Sequence, residues 1–192
     1  ANVTGTFTMA STGTGTFRFG TTTSPTITIG GSFIQTGGTC VLTGSTGSPI
    51  MNLAGSFSMN SGVLRLSEGS GIGTINVSGD FSHTGGTITE TSTGSGAIKF
   101  AKAGTQLFTG GGTVQNSINF TVNSGSTLQM GTGILTGGGT FTLSAGGALG
   151  IGSPVGITTS GATGNIQVTG ARSYNTGADY IYNGAAAQVA GN

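Results

Sequence analysis

The side chains able to do chemistry are few in this 192-residue sequence, and they gather in one short run. Asp80-Phe81-Ser82-His83 brings a carboxylate, a hydroxyl and an imidazole together, the ingredients of a nucleophile activated by a base. Glu90 follows ten residues later, so Asp80 and Glu90 are the one conceivable carboxylate pair for sugar chemistry. Spacing argues against both. Along a strand successive side chains alternate, so Ser82 shares a face with Asp80 and points away from His83 and Phe81. Between the two carboxylates lies the Gly85-Gly86 corner, and a general acid needs burial that nothing in the sequence indicates. A surface or corner position is expected for the run, and no catalytic residue is assigned.

Metal chemistry fares no better. One Cys and one His cannot build a zinc site. Calcium-binding solenoids place Asp in a Gly-Gly-x-Gly-x-Asp pattern, and no Asp accompanies the Gly-Gly pairs here. No metal or other cofactor is expected. Cys40, in Thr39-Cys40-Val41-Leu42, reads as a small apolar strand residue, with intermolecular pairing as its other use. Asn2-Val3-Thr4, Asn76-Val77-Ser78 and Asn119-Phe120-Thr121 match the glycosylation sequon, as a Thr- and Asn-rich chain does by composition. The Thr-x-Thr arrays Thr4-Gly5-Thr6-Phe7-Thr8, Thr12-Gly13-Thr14-Gly15-Thr16 and Thr26-Ile27-Thr28 would suit an ice lattice on a flat face. Their registration fails, because Thr26 and Thr28 align with Ile50 and Asn52 one repeat later.

Composition narrows the elements that could carry these residues. Gly accounts for 41 positions and only nine residues are charged, five basic and four acidic. Nucleic-acid binding by charge is excluded, because phosphate neutralisation needs a field of Lys and Arg. Helices are disfavoured by Gly and Thr, and three Pro are too few for collagen. No run is long and apolar enough to enter a membrane as a helix. Disorder would require few apolar residues and high net charge. Here 34% of residues are hydrophobic, the net charge is +1, and the apolar residues alternate. Thr26–Ile29, Ile50–Leu53, Thr74–Val77, Ala97–Phe100, Ile118–Val122, Thr140–Leu143 and Asn165–Val168 each put apolar side chains on one face.

Superposing these runs reveals a repeat. Gly31-Ser32-Phe33, Gly55-Ser56-Phe57 and Gly79-Asp80-Phe81 recur at intervals of 24 residues. Ile27/Ile29, Met51/Leu53 and Ile75/Val77 precede them at the same interval, and a Gly corner with another strand follows. A unit of that size cannot bury its own inner face, so coils must stack. The chain is therefore read as all-β, a parallel β-solenoid of right-handed coils of about 20–26 residues. One segment spans residues 1–192, with regular coils over about 1–96, looser coils over 97–164 and a divergent end over 165–192. Roughly eight coils at about 4.8 Å each give a rod of about 40 Å.

Phe108–Val114, Ile118–Leu128, Gly147–Ile157, Gly164–Gly170 and Tyr180–Gly184 resemble the β-strand repeats of giant cell-surface adhesin and fibre proteins of Bacteroidetes-type bacteria. Autotransporter passenger domains and filamentous haemagglutinins share the architecture. The resemblance implies an extracellular, cell-surface location and export by the type IX route. It also implies a structural or adhesive role, with self-association or continuation into further repeats and a surface glycan or host ligand as partner. The chain begins inside a repeat and ends without a polar cap, which is expected of a section of something longer. A carbohydrate-binding or carbohydrate-active β-helix is the alternative, and Tyr174, Tyr180 and Tyr182 are its candidate ligand residues. An ice-binding solenoid is the second alternative.

Overall fold

Alternation sets the fold. In the computed structural model, which describes residues 1–91 and 93–191, every element named is a β-strand and every ladder is parallel. Inward residues such as Ile27 and Ile29 are fully buried, while Thr26 and Thr28, which alternate with them, are exposed. A strand with one apolar face can bury it only against the next coil, and the coils stack accordingly. The chain is a β-solenoid.

Its first face is an eight-stranded ladder built from Asn2–Val3, Thr26–Ile29, Ile50–Leu53, Gly73–Val77, Gly96–Phe100, Ile118–Val122, Phe141–Leu143 and Arg172–Tyr174. Its inward columns are Ile27-Met51-Ile75-Ile98-Phe120-Phe141 and Ile29-Leu53-Val77-Phe100-Val122-Leu143-Tyr174. The second face starts at Phe7–Met9, Phe33, Phe57 and Phe81, and continues through Gly104–Thr109, Ser126–Gln129, Ala148–Ile151 and Asp179–Tyr182. The eleven-residue strands Phe33–Thr43 and Phe57–Ser67 bend near Gly37-Gly38 and Gly62, where the register shifts, and carry the chain onto a third face.

Register measures each coil directly. Thr26 pairs with Ile50 and Ile50 with Thr74, steps of 24 residues. Ala97 pairs with Asn119 and Phe120 with Phe141, steps of 22 and 21, whereas Phe141 pairs with Arg172, a step of 31. The long step falls outside the expected coil size. Its extra residues form the loop from Gly152 to Gly164, which Asn165 and Arg172 pin to the coil.

Two features make the stack specific. Phe7, Phe33, Phe57, Phe81 and Phe108 lie one above another with centroids 4.8–5.6 Å apart and planes within 17° of parallel. Offset pairs of that kind contribute about 0.5–1.5 kcal/mol each beyond area burial. At the second-to-third-face corner, Gly38, Gly62 and Gly86 have φ of 69°, 87° and 76°. A Cβ on Gly62 would lie 2.6 Å from the Gly38 carbonyl oxygen, so the corner needs glycine for both conformation and approach.

Candidate functional site

Built upward from the first-to-second-face corner, the Asp80 neighbourhood is an extension of a structural ladder. Ser56 N–H donates to Ser32 Oγ (3.0 Å), and Asp80 N–H donates to Ser56 Oγ (3.1 Å). Asp80 Oδ1 then accepts the Leu107 N–H (3.0 Å) and the Lys102 ammonium (2.7 Å). The Lys102 hydrogen bond, helped by the Leu107 N–H, holds the Asp80 carboxyl below its ordinary pKa. An exposed carboxylate held ionised in this way joins one coil to the next and is unsuited to donating a proton.

Ser82 points outward beside it, and His83 points inward. The expectation of a surface or corner position therefore fails for His83, which is buried because the strand runs unbroken through Phe81–His83. Its inward column is Met9-Gln35-Met59-His83. Desolvation depresses its pKa, partly offset by the contact of Nε2 with the Gly86 carbonyl at 3.3 Å. Gly112 lies against the ring, where a Cβ would meet Nε2. Nucleophile and base thus face opposite ways.

Glu90 sits elsewhere on the coil, beyond the Gly85-Gly86 corner. It is buried, and its Oε1 accepts the Ser117 N–H of the next coil (3.1 Å). Beside it Asn116, at φ 60°, donates to Thr89 Oγ1 (3.1 Å) and to the Glu90 carbonyl (2.5 Å). The burial that sequence did not indicate is present, but its carboxylate holds a neighbouring coil. Asp80 and Glu90 have separate partners and are not brought together as a pair.

Cys40 is buried, and desolvation pushes its thiol up to about 12. Among the described residues no three of His, Cys, Asp and Glu form a group that could hold a metal. Sequence reading missed one charged cluster. Glu68 bridges Arg18 (2.9 Å) and Arg65 (2.7 Å), which pair with the two flanks of Val41 in one column. Burial pushes the Glu68 carboxyl up, but the hydrogen bonds and charges of the two arginines outweigh it and leave the pKa lowered. A strict 24-residue register would set Arg18 against Leu66; the ladder steps are 23 and 24 residues, through Val41, and that one-residue shortening hid the alignment with Arg65.

The three tyrosines lie on the last two strands. Tyr174 continues the Leu143 column, packs against Phe141 at 5.8 Å and donates to the Thr158 carbonyl (3.2 Å). Burial pushes its phenol up to about 12. Tyr180 and Tyr182 stand over Leu149 and Ile151, with hydroxyls on the Asn175 and Ala190 carbonyls. They follow the inward columns, and each hydroxyl is spent on a backbone carbonyl.

Concavity occurs elsewhere. Two adjoining clefts of about 710 and 310 Å³ share Thr132, Ile134 and Gln167, and no tyrosine lines either. No helix of the described residues is long and apolar enough to cross a membrane. No protein-family model, curated protein or solved structure matches the chain.

Proposed function

We propose that this chain is a structural, non-catalytic segment of a secreted bacterial surface or filament protein. It acts as a stiff, nearly uncharged β-solenoid rod that continues into further coils or pairs end to end with other copies. The eight-stranded parallel ladder, with the Phe column stacked behind it, carries this reading. Parallel ladders on the first and second faces join each coil to the next, so bending the rod must distort many hydrogen bonds at once. Five of the nine charged residues, Arg18, Arg65, Glu68, Asp80 and Lys102, serve coil-to-coil or corner ion pairs.

The adhesive role, the cell-surface location and type IX export follow from the resemblance to giant Bacteroidetes-type surface proteins. End-on pairing follows from physics: unpaired N–H and C=O groups on an end coil are a template for another strand. Sedimentation velocity over a concentration series tests it. End-on pairing gives elongated species whose frictional ratio rises with mass. A compact monomer at every concentration would refute it.

A further inference from the structure

The two adjoining clefts are lined by glycines, hydroxyl and amide side chains and a few apolar residues. Gly110, Gly111, Gly112, Gly131 and Gly133 line the larger, together with Phe108 and Met130. The rim carries three of the chain's most exposed large apolar residues, Leu107 (52%), Ile134 (47%) and Val155 (43%). A buried side chain fastens the walls together. Asn165 Nδ2 donates to the Gly131 (3.0 Å) and Gly133 (2.7 Å) carbonyls, and Oδ1 accepts from Gly152 (3.0 Å) and Ser153 (2.9 Å). All four of its hydrogen-bonding positions hold the trough in shape, which lowers the ordering cost of binding.

We propose that this trough binds a neutral oligosaccharide chain. Among the described residues no charged one lines either cleft, so ionic ligands find no counter-charge there. The clefts adjoin through Thr132, Ile134 and Gln167, so one extended ligand can span both. Aliphatic Leu107, Ile134 and Val155 interleave with hydroxyls of Thr109, Thr132 and Thr136 and the amide of Gln167. That mixture matches a sugar ring, with C–H faces and hydroxyl edges. At Gly131 an added Cβ would meet no protein atom within 4 Å, so a ring can approach the backbone closely there.

The test is calorimetric titration and amide NMR of the purified chain with neutral hexasaccharides of glucose, mannose, xylose and N-acetylglucosamine. Hexagalacturonate and an uncharged extended peptide serve as comparison ligands. At least one neutral sugar should bind with a Kd of about 1 mM or tighter, shifting resonances of Leu107, Ile134 and Gln167. Ile134→Arg and Leu107→Arg, both at exposed positions, should each weaken it about tenfold or more. Ile50→Arg, exposed on the first face, should leave it unchanged. Binding by none of the sugars, equal binding by Ile134→Arg, or equal binding of either comparison ligand would overturn the proposal. The rod reading requires no ligand, and its sedimentation test is independent of the sugar titration.

Discussion

Phe57 offers the sharpest test of how the coils support one another. It is fully buried, with ring centroids 5.4 Å from Phe33 and 4.8 Å from Phe81, both nearly parallel. Removing the ring as Phe57→Ala should cost about 3–5 kcal/mol for a core phenylalanine. The upper part of that range applies, since two ring contacts disappear together. Milder Phe→Leu changes at positions 33, 57 and 81 allow the contacts to be separated. Double-mutant cycles from urea unfolding should show a coupling of about 0.5–1.5 kcal/mol for Phe33/Phe57 and for Phe57/Phe81. Phe33 and Phe81 are separated by the Phe57 ring, so their effects should add to within about 0.5 kcal/mol. This is the nearest-neighbour energetics of a stack. Equal coupling for the separated pair, or none for the touching pairs, would refute the reasoning.

Glycine gives a contrast within one residue type. Gly62→Ala should destabilise by at least about 1–2 kcal/mol from its left-handed backbone alone, with the contact to Gly38 O added. Gly5→Ala meets nothing within 4 Å and should be neutral or stabilise by about 0.4–1 kcal/mol in the same denaturation experiment. His83 has a depressed pKa when folded, so its stabilising contribution is complete above the ordinary value of 6.5 and is lost as pH falls toward the folded pKa. Each unit of depression corresponds to about 1.4 kcal/mol. Melting curves from pH 7 downward should show this loss in wild type and lack it in His83→Met, which extends the Met9/Met59 column. Acid sensitivity of the Asp80 and Glu68 pairs should appear only lower, as their lowered carboxylate pKa values are approached. Cys40 should resist a thiol reagent in the folded chain and react on unfolding; rapid labelling without denaturant would contradict its burial.

Much of this architecture was legible because the repeat and the alternation agree. Ile27/Ile29, Met51/Leu53 and Ile75/Val77 announced both the inward face and the 24-residue step, and the ladder pairs these residues with one another. The 31-residue coil was not legible, because Gly/Ser/Thr in a loop and in a corner look alike. Buried polar residues were the other blind spot. Gln35 sits inward two residues after Phe33, where alternation demands it, and its amide donates to the carbonyls of Gly37, Gly38 and Val63 at 3.1–3.3 Å. Gln106 does the same for Val77 and Gly79, and Asn165 for Gly131 and Gly133. A sharp corner turns carbonyls inward, and an amide satisfies two at once. In the sequence such residues look solvent-facing until the corner geometry is known. The trough was hidden for the same reason, since the residues that line it come from separate coils and meet only in three dimensions.

X-ray diffraction from an oriented, concentrated preparation of the purified chain tests the stacked-rod claim most directly. Coils piled along the rod axis and continued across copies predict a reflection at about 4.8 Å along the fibre axis, the spacing between neighbouring strands. Failure to align, or the same spacing appearing across the axis, would contradict a rod built from stacked coils.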